Sequence, residues 1–175
     1  LSLSYYRSFG SPVTVLRPFN TFGPRQSQRA AIPAIINQII SGKKKIKLGN
    51  LNAYRDFTYV DDTVNGYIKL IGNKKSIGEV INLGTGSSFS IKETLKFICT
   101  ILNRKVEVKL DQKRLRPKKS EVNKLLSKNT KAKKILKWKP KFSGKNGFFN
   151  GLKKTIEWFE KNKDLSKNQS DSYNV

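Results

Sequence analysis

The sequence has 175 residues, which is enough for one ordinary domain and too few for two of usual size. It carries 36 Lys and Arg against 12 Asp and Glu, a formal net charge of +24, while 37% of its residues are hydrophobic. That apolar share can form a core and argues against a wholly disordered basic tail. Apolar runs fall well short of the ~20 residues that span a bilayer, so no membrane contact is expected.

Histidine is absent, which excludes imidazole as a catalytic base or a metal ligand. The single cysteine, Cys99, cannot form an internal disulfide; it indicates a reducing compartment and predicts a cytoplasmic location. Because the sequence starts at Leu1 rather than Met, we expect it to be a piece of a longer protein.

The first quarter of the chain predicts a helix, a strand, a loop and a second helix. Residues 1–9 have the pattern of a helix that ends at Gly10, and residues 12–17 form a valine-rich strand before Pro18. A polar loop is expected over residues 20–29. The next helix is predicted by isoleucines at helical spacing: Ile32, Ile35, Ile36, Ile39 and Ile40.

The middle of the chain predicts two short strands, residues 45–48 and 55–59, around a turn at residues 49–52. A second amphipathic helix follows, with Asp61 and Asp62 as its caps. We expect its buried face to be formed by Val64, Tyr67, Ile68 and Ile71.

The next part predicts a strand at residues 79–83, closed by a turn at Gly84-Thr85-Gly86, and a helix opened by a capping box of Ser90 and Glu93. Its apolar face is Ile91, Leu95, Ile98 and Leu102.

The last third predicts a strand with one exposed face near residues 106–110, a loop over residues 112–129, and a helix from Asn129 through Lys137. The final helix spans about residues 148–161, and residues 164–175 are expected to be a disordered tail. Its inner stripe is Phe149, Leu152, Ile156 and Phe159. Alternating strands and helices indicate an α/β fold.

Few residues offer obvious chemistry. The sequence has no G-x-G-x-x-G turn and no P-loop, and Gly84-Thr85-Gly86 is more typical of a strand-ending turn than of a phosphate cradle. Cys99 is expected to be an inert thiol, and no metal site is predicted. A dense run of lysines allows a basic nucleic-acid-binding module as an alternative function, although neighbouring Leu136 and Trp138 favour a solvated face at the edge of a core. The run is Lys133, Lys134, Lys137, Lys139 and Lys141.

Arginines stand out because the chain otherwise uses lysine, with 8 Arg against 28 Lys. Arg55 and Arg116 lie at expected strand ends, where a planar guanidinium is suited to carboxylate or phosphate oxygens. The simpler alternative is an ion pair with Asp56 or Glu121. Both interpretations stay open from the residues alone.

Several collinear blocks resemble the extended short-chain dehydrogenase/reductase family of nucleotide-sugar epimerases and dehydratases. They include Arg17-Pro18-Phe19-Asn20 and Arg55-Asp56-Phe57. The complete set comprises residues 5–10, 15–26, 31–33, 55–62, 81–86, 116–122, 132–140 and 151–159. Residues 116–122 and 147–152 most resemble N-acetylglucosamine-nucleotide 4,6-dehydratases of legionaminic-acid-type pathways.

The resemblance implies the C-terminal strands of a Rossmann-type parallel sheet plus a small α/β substrate-binding domain. Residues 1–29 would be the end of the Rossmann domain, residues 30–163 mainly the nucleotide-sugar domain with some returning Rossmann elements, and residues 164–175 a tail. The N-terminal NAD-binding part and the Tyr-x-x-x-Lys pair are absent from these 175 residues. A homodimer is expected at full length, and nucleic acid is not the expected partner.

The resemblance also implies roles for individual residues, with a nucleotide-diphosphate sugar as substrate. Arg55 and Arg116 would clamp its diphosphate, and Phe19 would line the nicotinamide side of NAD through its backbone. The other implied substrate-binding residues are Asn20, Ala30, Ala31, Ile46, Lys47 and Leu48. The reaction would be 4,6-dehydration or 4-epimerisation, and this chain alone would be inactive, with no catalytic residue of its own.

Overall fold

A computed structural model describes residues 1–115, 117 and 120–163. The helices are α1 Ser2–Phe9, α2 Ala31–Ile40, α3 Val60–Leu70, α4 Ile91–Leu102, α5 Thr130–Ile135 and α6 Gly144–Lys161. The strands are β1 Val15–Pro18, β2 Asn20–Phe22, β3 Lys45–Leu48, β4 Tyr54–Arg55, β5 Phe57–Tyr59, β6 Val80–Leu83, β7 Phe89–Ser90, β8 Glu107–Leu110 and β9 Lys124–Leu125.

The chain divides into two compact units, each assembled from separate stretches of sequence. Unit 1 comprises Leu1–Thr21, Asp56–Ser88 and Leu126–Phe148. Unit 2 comprises Phe22–Arg55, Phe89–Leu125 and the chain from Phe149 onward. Within the described ranges, no helix is both long and apolar enough to cross a bilayer.

Unit 1 is built on the parallel pair of β1 and β6. The two strands run in register from Val15 opposite Val80 to Pro18 opposite Leu83. Parallel neighbours require a long crossover between them, which is the arrangement expected of an α/β fold. A second pairing joins β2 to β5, so the predicted loop over residues 20–29 is wrong at its start, where the chain is a strand.

The core of unit 1 lies on one face of β6. Ile81 and Leu83 alternate with more exposed residues and are fully buried, as the two-residue period of a strand requires. They pack against a set of apolar side chains from α5 and the segment after it: Ala132, Leu136 and Trp138. Strand β6 and the segment around α5, which are about 50 residues apart in sequence, therefore share one apolar cluster.

Helix α3 turns its predicted apolar face outward. The side chains of Val64, Tyr67, Ile68 and Ile71 are 50%, 47%, 60% and 82% exposed. The opposite, small and polar face is the buried one; its members are Asp62, Thr63 and Gly66. The prediction of a helix was right, and the prediction of which face is buried was wrong. Gly66 explains the inversion, because an added Cβ would stand 2.3 Å from a methyl carbon of Leu83.

This inversion predicts that Ile68 contributes little to stability. We expect Ile68→Val to change the free energy of unfolding by less than about 0.5 kcal/mol, because the side chain is already in water. The same substitution at fully buried Ile81 should cost about 0.5–1.5 kcal/mol. Urea denaturation followed by circular dichroism measures both. Equal losses for the two variants would contradict the exposed face.

Unit 2 contains a parallel pair and a short mixed sheet. Strands β3 and β8 run parallel, with Lys45 opposite Glu107 and Leu48 opposite Leu110. Strand β4 is the centre of the second sheet, antiparallel to β7 and parallel to β9. The predicted single strand over residues 55–59 is wrong, because the chain leaves this sheet at Asp56 and β5 pairs elsewhere.

Helices α2 and α4 of unit 2 bury the centre of the face that the sequence predicts, while Ile40, Ile91 and Leu102 at its ends are half-buried. In α2 the isoleucines Ile32, Ile35, Ile36 and Ile39 are buried. Helix α4 begins with the predicted capping box, in which Glu93 accepts hydrogen bonds from the hydroxyl and backbone N–H of Ser90. These bonds, the hydroxyl's first, lower the pKa of Glu93.

Other boundaries shift by a few residues. Strand β1 begins at Val15 rather than residue 12, and α6 begins at Gly144 rather than residue 148. Helix α5 stops at Ile135, before Lys137, whose φ of +51° is in the left-handed region that favours glycine. Strand β9 lies inside the predicted loop over residues 112–129. The predicted tail, residues 164–175, lies outside the described residues.

Candidate functional site

Arg55 ends the central strand β4 and folds its guanidinium back onto the chain. Its Nη1 donates to the carbonyl oxygens of Tyr54, at 2.8 Å, and Val122, at 2.7 Å. Its Nη2 lies 3.3 Å from the carboxylate of Glu121. The ion pair with Glu121 was one of the two interpretations that the sequence left open.

Those contacts occupy only part of the guanidinium. Arginine carries five N–H donors, of which two are on Nη1, two on Nη2 and one on Nε. Three are engaged by Tyr54, Val122 and Glu121. Within the described part of the chain, the Nε–H and one Nη2–H have no protein acceptor, so the side chain can still donate to a ligand.

A cleft of about 510 Å³ opens in unit 2 beside this ion pair. It is lined by the loop from Gly49 to Asn52 and by Lys92, Leu110, Leu115 and Glu121. Three predicted site segments border it. Gly49 directly follows β3, and Leu115 directly precedes Arg116 in sequence. Glu121 is the ion-pair partner of Arg55.

The walls of the cleft are held by backbone contacts. At Gly49 an added Cβ would stand 2.7 Å from the carbonyl oxygen of Arg114, so only glycine allows this approach of the two loops. On the other side, the N–H of Lys92 donates to the carbonyl oxygen of Leu51 at 3.0 Å. The start of α4 therefore fixes the position of the loop, and with it the shape of the cleft.

The three β3 candidates lie on two faces of the strand, with Ile46 and Leu48 on one and Lys47 on the other. Ile46 and Leu48 are 0% and 3% exposed, so their side chains belong to the interior of unit 2. Lys47 is exposed, and its backbone N–H and carbonyl are both bonded by the side-chain amide of Gln38. Lys47 is thus the member of the trio whose side chain solvent reaches.

Ala30 and Ala31 lie at the start of α2, as the sequence predicts. Ala30 is the N-cap residue in an extended conformation, and its own N–H donates to the carbonyl oxygen of Ser27 at 3.0 Å. Ala31 is the first helical residue, where backbone N–H groups lack an intrahelical acceptor.

The remaining candidates lie in unit 1 or outside the described residues. The N–H of Phe19 donates to the carbonyl oxygen of Leu83 at 2.8 Å, so it serves the sheet. Asn20 has a buried Nδ2 with no hydrogen-bond acceptor among the described residues. An orphaned buried donor of this kind carries a free-energy cost that a ligand could remove. Arg116 lies outside the described residues.

The turn Gly84-Thr85-Gly86 is not a phosphate cradle. The N–H groups of Thr85 and Gly86 both donate to the carboxylate of Asp56, at 2.8 and 2.9 Å. The N–H of Ser127 joins them at 3.1 Å. A carboxylate already fills the place where phosphate oxygens would bind, which supports the interpretation as a strand-ending turn.

These residues therefore do not fit the phosphates of a dinucleotide. The described amides of the glycine-containing turn are engaged by Asp56, and the N–H of Phe19 is bonded to β6. The 175-residue sequence contains no other glycine-rich strand-to-helix turn.

Asp62 does not cap its own helix as predicted. Its buried carboxylate accepts the N–H groups of Lys141 and Phe142, both at 2.8 Å, and the carbonyl oxygen of Asp62 accepts from Nε1 of Trp138. Asp61 is exposed in the first turn of α3. The Asp62 carboxylate thus bonds α3 to residues 141 and 142, whereas the Asp61 carboxylate is a surface charge. The described residues contain no cluster of three or more His, Cys, Asp or Glu suited to a metal.

Cys99 and the lysine run match the simpler interpretations. Burial raises the pKa of the Cys99 thiol, which keeps it in the unreactive protonated form. The lysines around α5 are exposed, whereas Leu136 and Trp138 between them are buried. This is the arrangement of a solvated face over a core edge.

Sequence reasoning missed Asn50, Asn52, Lys92 and Leu110 as residues of the cleft. Lys92 has no distinguishing pattern, since it lies between Ser90 and Glu93 of the capping box, on an amphipathic helix. The asparagines carried a turn signal only, and the N–H of Asn52 does bond the side chain of Asn50 at 2.9 Å. Their shared cleft depends on loops that the fold brings together.

The parallel strand pairs with intervening helices define a Rossmann-type α/β protein. The family model for GDP-mannose 4,6 dehydratase matches residues 1–150. The chain belongs to this family of NAD-dependent nucleotide-sugar epimerases and dehydratases, the extended short-chain dehydrogenases/reductases.

Both reaction types occur among the relatives. The chain is 33% identical over 169 residues to UDP-glucuronate 4-epimerase of Thermodesulfobacterium geofontis, covering 95% of this chain and 49% of the relative. A UDP-glucuronic acid 4-epimerase mutant from Bacillus cereus, solved with a fluorinated UDP-sugar and NAD, shares 28% identity and a TM-score of 0.79 over 90% of this chain and 48% of that one. The dTDP-glucose 4,6-dehydratase of Bacillus anthracis, solved with NAD, shares 27% and a TM-score of 0.78 over 93% and 49%. The chain thus spans about half the length of these relatives.

Proposed function

We propose that this chain is the substrate-binding half of an NAD-dependent nucleotide-sugar 4,6-dehydratase, most like the enzymes of legionaminic-acid-type pathways. The observation that carries the proposal is the cleft of unit 2. Glu121 lines this cleft and forms an ion pair with Arg55. Its apolar wall is suited to a base or sugar, and the two remaining donors of Arg55 are suited to a phosphate.

The proposed roles follow from the contacts within each unit. In unit 2, Arg55 binds the diphosphate with its Nε–H and Nη2–H, and Lys47 and the start of α2 at Ala30 and Ala31 lie on the nucleotide side. In unit 1, Asn20 donates its orphaned amide to the sugar or diphosphate. Arg116 is proposed as the second diphosphate ligand on the family pattern alone.

The assignment of NAD binding and nucleotide-sugar binding to different parts of the protein is also a proposal. NAD would be held mainly by residues outside these 175, with Phe19 lining the nicotinamide through its backbone. The chain alone would then bind nucleotide sugar without turnover. We further propose a cytoplasmic enzyme that acts as a homodimer at full length, and the boundaries at residues 29 and 163 stay predictions.

A 4-epimerase on the same scaffold is the second candidate. It is favoured by the T. geofontis relative, which is an epimerase aligned over 95% of this chain. The product of the full-length protein decides between them. A 4-keto-6-deoxy sugar, detected by its absorbance in alkali, supports dehydration, whereas a simple C4 epimer rejects it.

Binding by the chain itself tests the role of Arg55. We expect Arg55→Gln to weaken UDP-sugar binding by about 10- to 100-fold, because charge-assisted hydrogen bonds to phosphate contribute about 1.5–3 kcal/mol each. Isothermal titration calorimetry measures the dissociation constant. Arg104→Gln, the same change at an exposed arginine of unit 2 that does not line the cleft, is the control. Arg55→Lys keeps the charge without the fork and should recover part of the loss. Unchanged affinity in Arg55→Gln would refute the assignment.

A further inference from the structure

The ion pair between Arg55 and Glu121 is long, although both side chains are largely buried. Both side chains are 17% exposed, yet the N–O distance is 3.3 Å, longer than the 2.7–2.9 Å typical of charge-assisted bonds. The two carbonyl contacts of Arg55 are shorter, at 2.7 and 2.8 Å. The guanidinium is therefore positioned by the carbonyls of Tyr54 and Val122, and Glu121 contributes charge more than geometry.

That charge faces the cleft. Glu121 lines the cavity, and one of its oxygens has no hydrogen-bond donor among residues 1–115, 117 and 120–163. An anion that binds the remaining donors of Arg55 must come close to this carboxylate. In a partly buried site, repulsion between neighbouring like charges outweighs the loss of one long hydrogen bond.

We propose that Glu121 is an internal counter-ion of Arg55 that sets a threshold for anion binding in the cleft. It rests on the proposed function, in which Arg55 binds a diphosphate. Free phosphate offers only charge, and Glu121 cancels most of its gain. A nucleoside diphosphate also buries apolar surface against Leu51, Leu110 and Leu115, which offsets the repulsion. The cleft therefore holds a diphosphate only when a nucleoside comes with it.

Neutralising Glu121 should strengthen anion binding. We expect Glu121→Gln and Glu121→Ala each to bind inorganic pyrophosphate and UDP about 10-fold more tightly than the unsubstituted chain, measured by calorimetry on the full 175-residue chain at low salt. Glu121→Asp keeps the charge and should bind as the unsubstituted chain does. A role in positioning Arg55 predicts the opposite sign, with weaker binding in the Gln variant and weaker still in the Ala variant.

The matched control is Glu107→Gln. Glu107 pairs with Lys45 at the same N–O distance of 3.3 Å, but both side chains are exposed and neither lines the cleft. We expect no change in either dissociation constant for this variant. In the double variant Glu121→Gln/Arg55→Gln the 10-fold gain should disappear, since it acts through Arg55. Thermal melts followed by circular dichroism check that each variant is folded.

The possible results distinguish the counter-ion role of Glu121 from the proposed function. UDP binding that depends on Arg55, together with unchanged or weaker binding in Glu121→Gln, overturns the counter-ion and leaves the proposed function standing. A gain of similar size in Glu107→Gln also overturns it, because the effect would then reflect net charge alone. UDP binding by none of the folded variants overturns the proposed function and the inference together.

Discussion

Replacing Asp56 by Asn should lower the free energy of unfolding by about 3 kcal/mol, because its carboxylate accepts four hydrogen bonds from two separate segments of the chain. Asp56 is 0% exposed and receives the N–H groups of Thr85, Gly86 and Ser127 and the hydroxyl of Thr85. These bonds connect residues 29 to 71 positions apart. Among the described residues, Asp56 is the only side chain that accepts the N–H groups of Thr85, Gly86 and Ser127.

The size of the effect follows from the orientation of the amide. The best arrangement keeps the asparagine oxygen towards Gly86 and Ser127 and turns its NH2 towards Thr85. The hydroxyl of Thr85 can rotate to accept from that NH2, but the N–H of Thr85 then faces a second donor in a buried site. One orphaned donor and the loss of charge at the other bonds together cost about 3 kcal/mol.

Urea denaturation followed by circular dichroism measures this loss. Asp61→Asn is the matched control, the same change at an exposed carboxylate in the same unit, and should cost at most about 0.5 kcal/mol. A loss below about 1 kcal/mol in Asp56→Asn would show that the turn at Gly84 is stable without its acceptor. Gly84 itself has no room to adapt, since an added Cβ would stand 2.3 Å from that of Ser127.

Local rules predicted the elements whose partners lie close in sequence. The capping box of Ser90 and Glu93, the isoleucine face of α2 and the glycine stop of α1 each depend on residues within a few positions, and all are present. The strand predicted at residues 79–83 is likewise present as β6. Hydrophobic periodicity predicts the buried face correctly when the rest of the fold packs against the apolar side of the element.

Helix α3 shows where periodicity fails. The spacing of Val64, Tyr67, Ile68 and Ile71 defines an apolar face correctly, but it says nothing about what the helix packs against. The close approach of Gly66 to Leu83 and the bonds of Asp62 to residues 141 and 142 determine the buried face. Both partners are distant in sequence, so no local pattern could have indicated them.

The candidate site divides in the same way. Arg55 was recognisable because arginine is scarce in this chain, and Glu121 was one of its two expected partners. The contacts with the carbonyl of Val122, 67 residues away, and the cleft beside Lys92 depend on how loops meet. Sequence therefore indicated the charged group, and the fold determined which of its donors remain for a ligand.

Replacing Trp138 by Ala should destabilise the chain by about 3–5 kcal/mol, since its side chain is the largest fully buried one of unit 1. Trp138 packs with Ile81, Leu83 and Leu136, and its Nε1 donates to the carbonyl oxygen of Asp62 at 2.9 Å. The substitution thus removes apolar packing and the hydrogen bond that links the segment after α5 to α3.

Two further variants separate these contributions. Trp138→Phe keeps a ring in the core but loses the donor, so it should cost about 1–2 kcal/mol for the hydrogen bond and a small cavity. Trp158→Ala is the control at the only other tryptophan, which is half-buried beside Phe159 and should cost less than Trp138→Ala. Unfolding is followed by circular dichroism, because each substitution changes tryptophan fluorescence. Equal losses at the two tryptophans would contradict a core of unit 1 centred on Trp138.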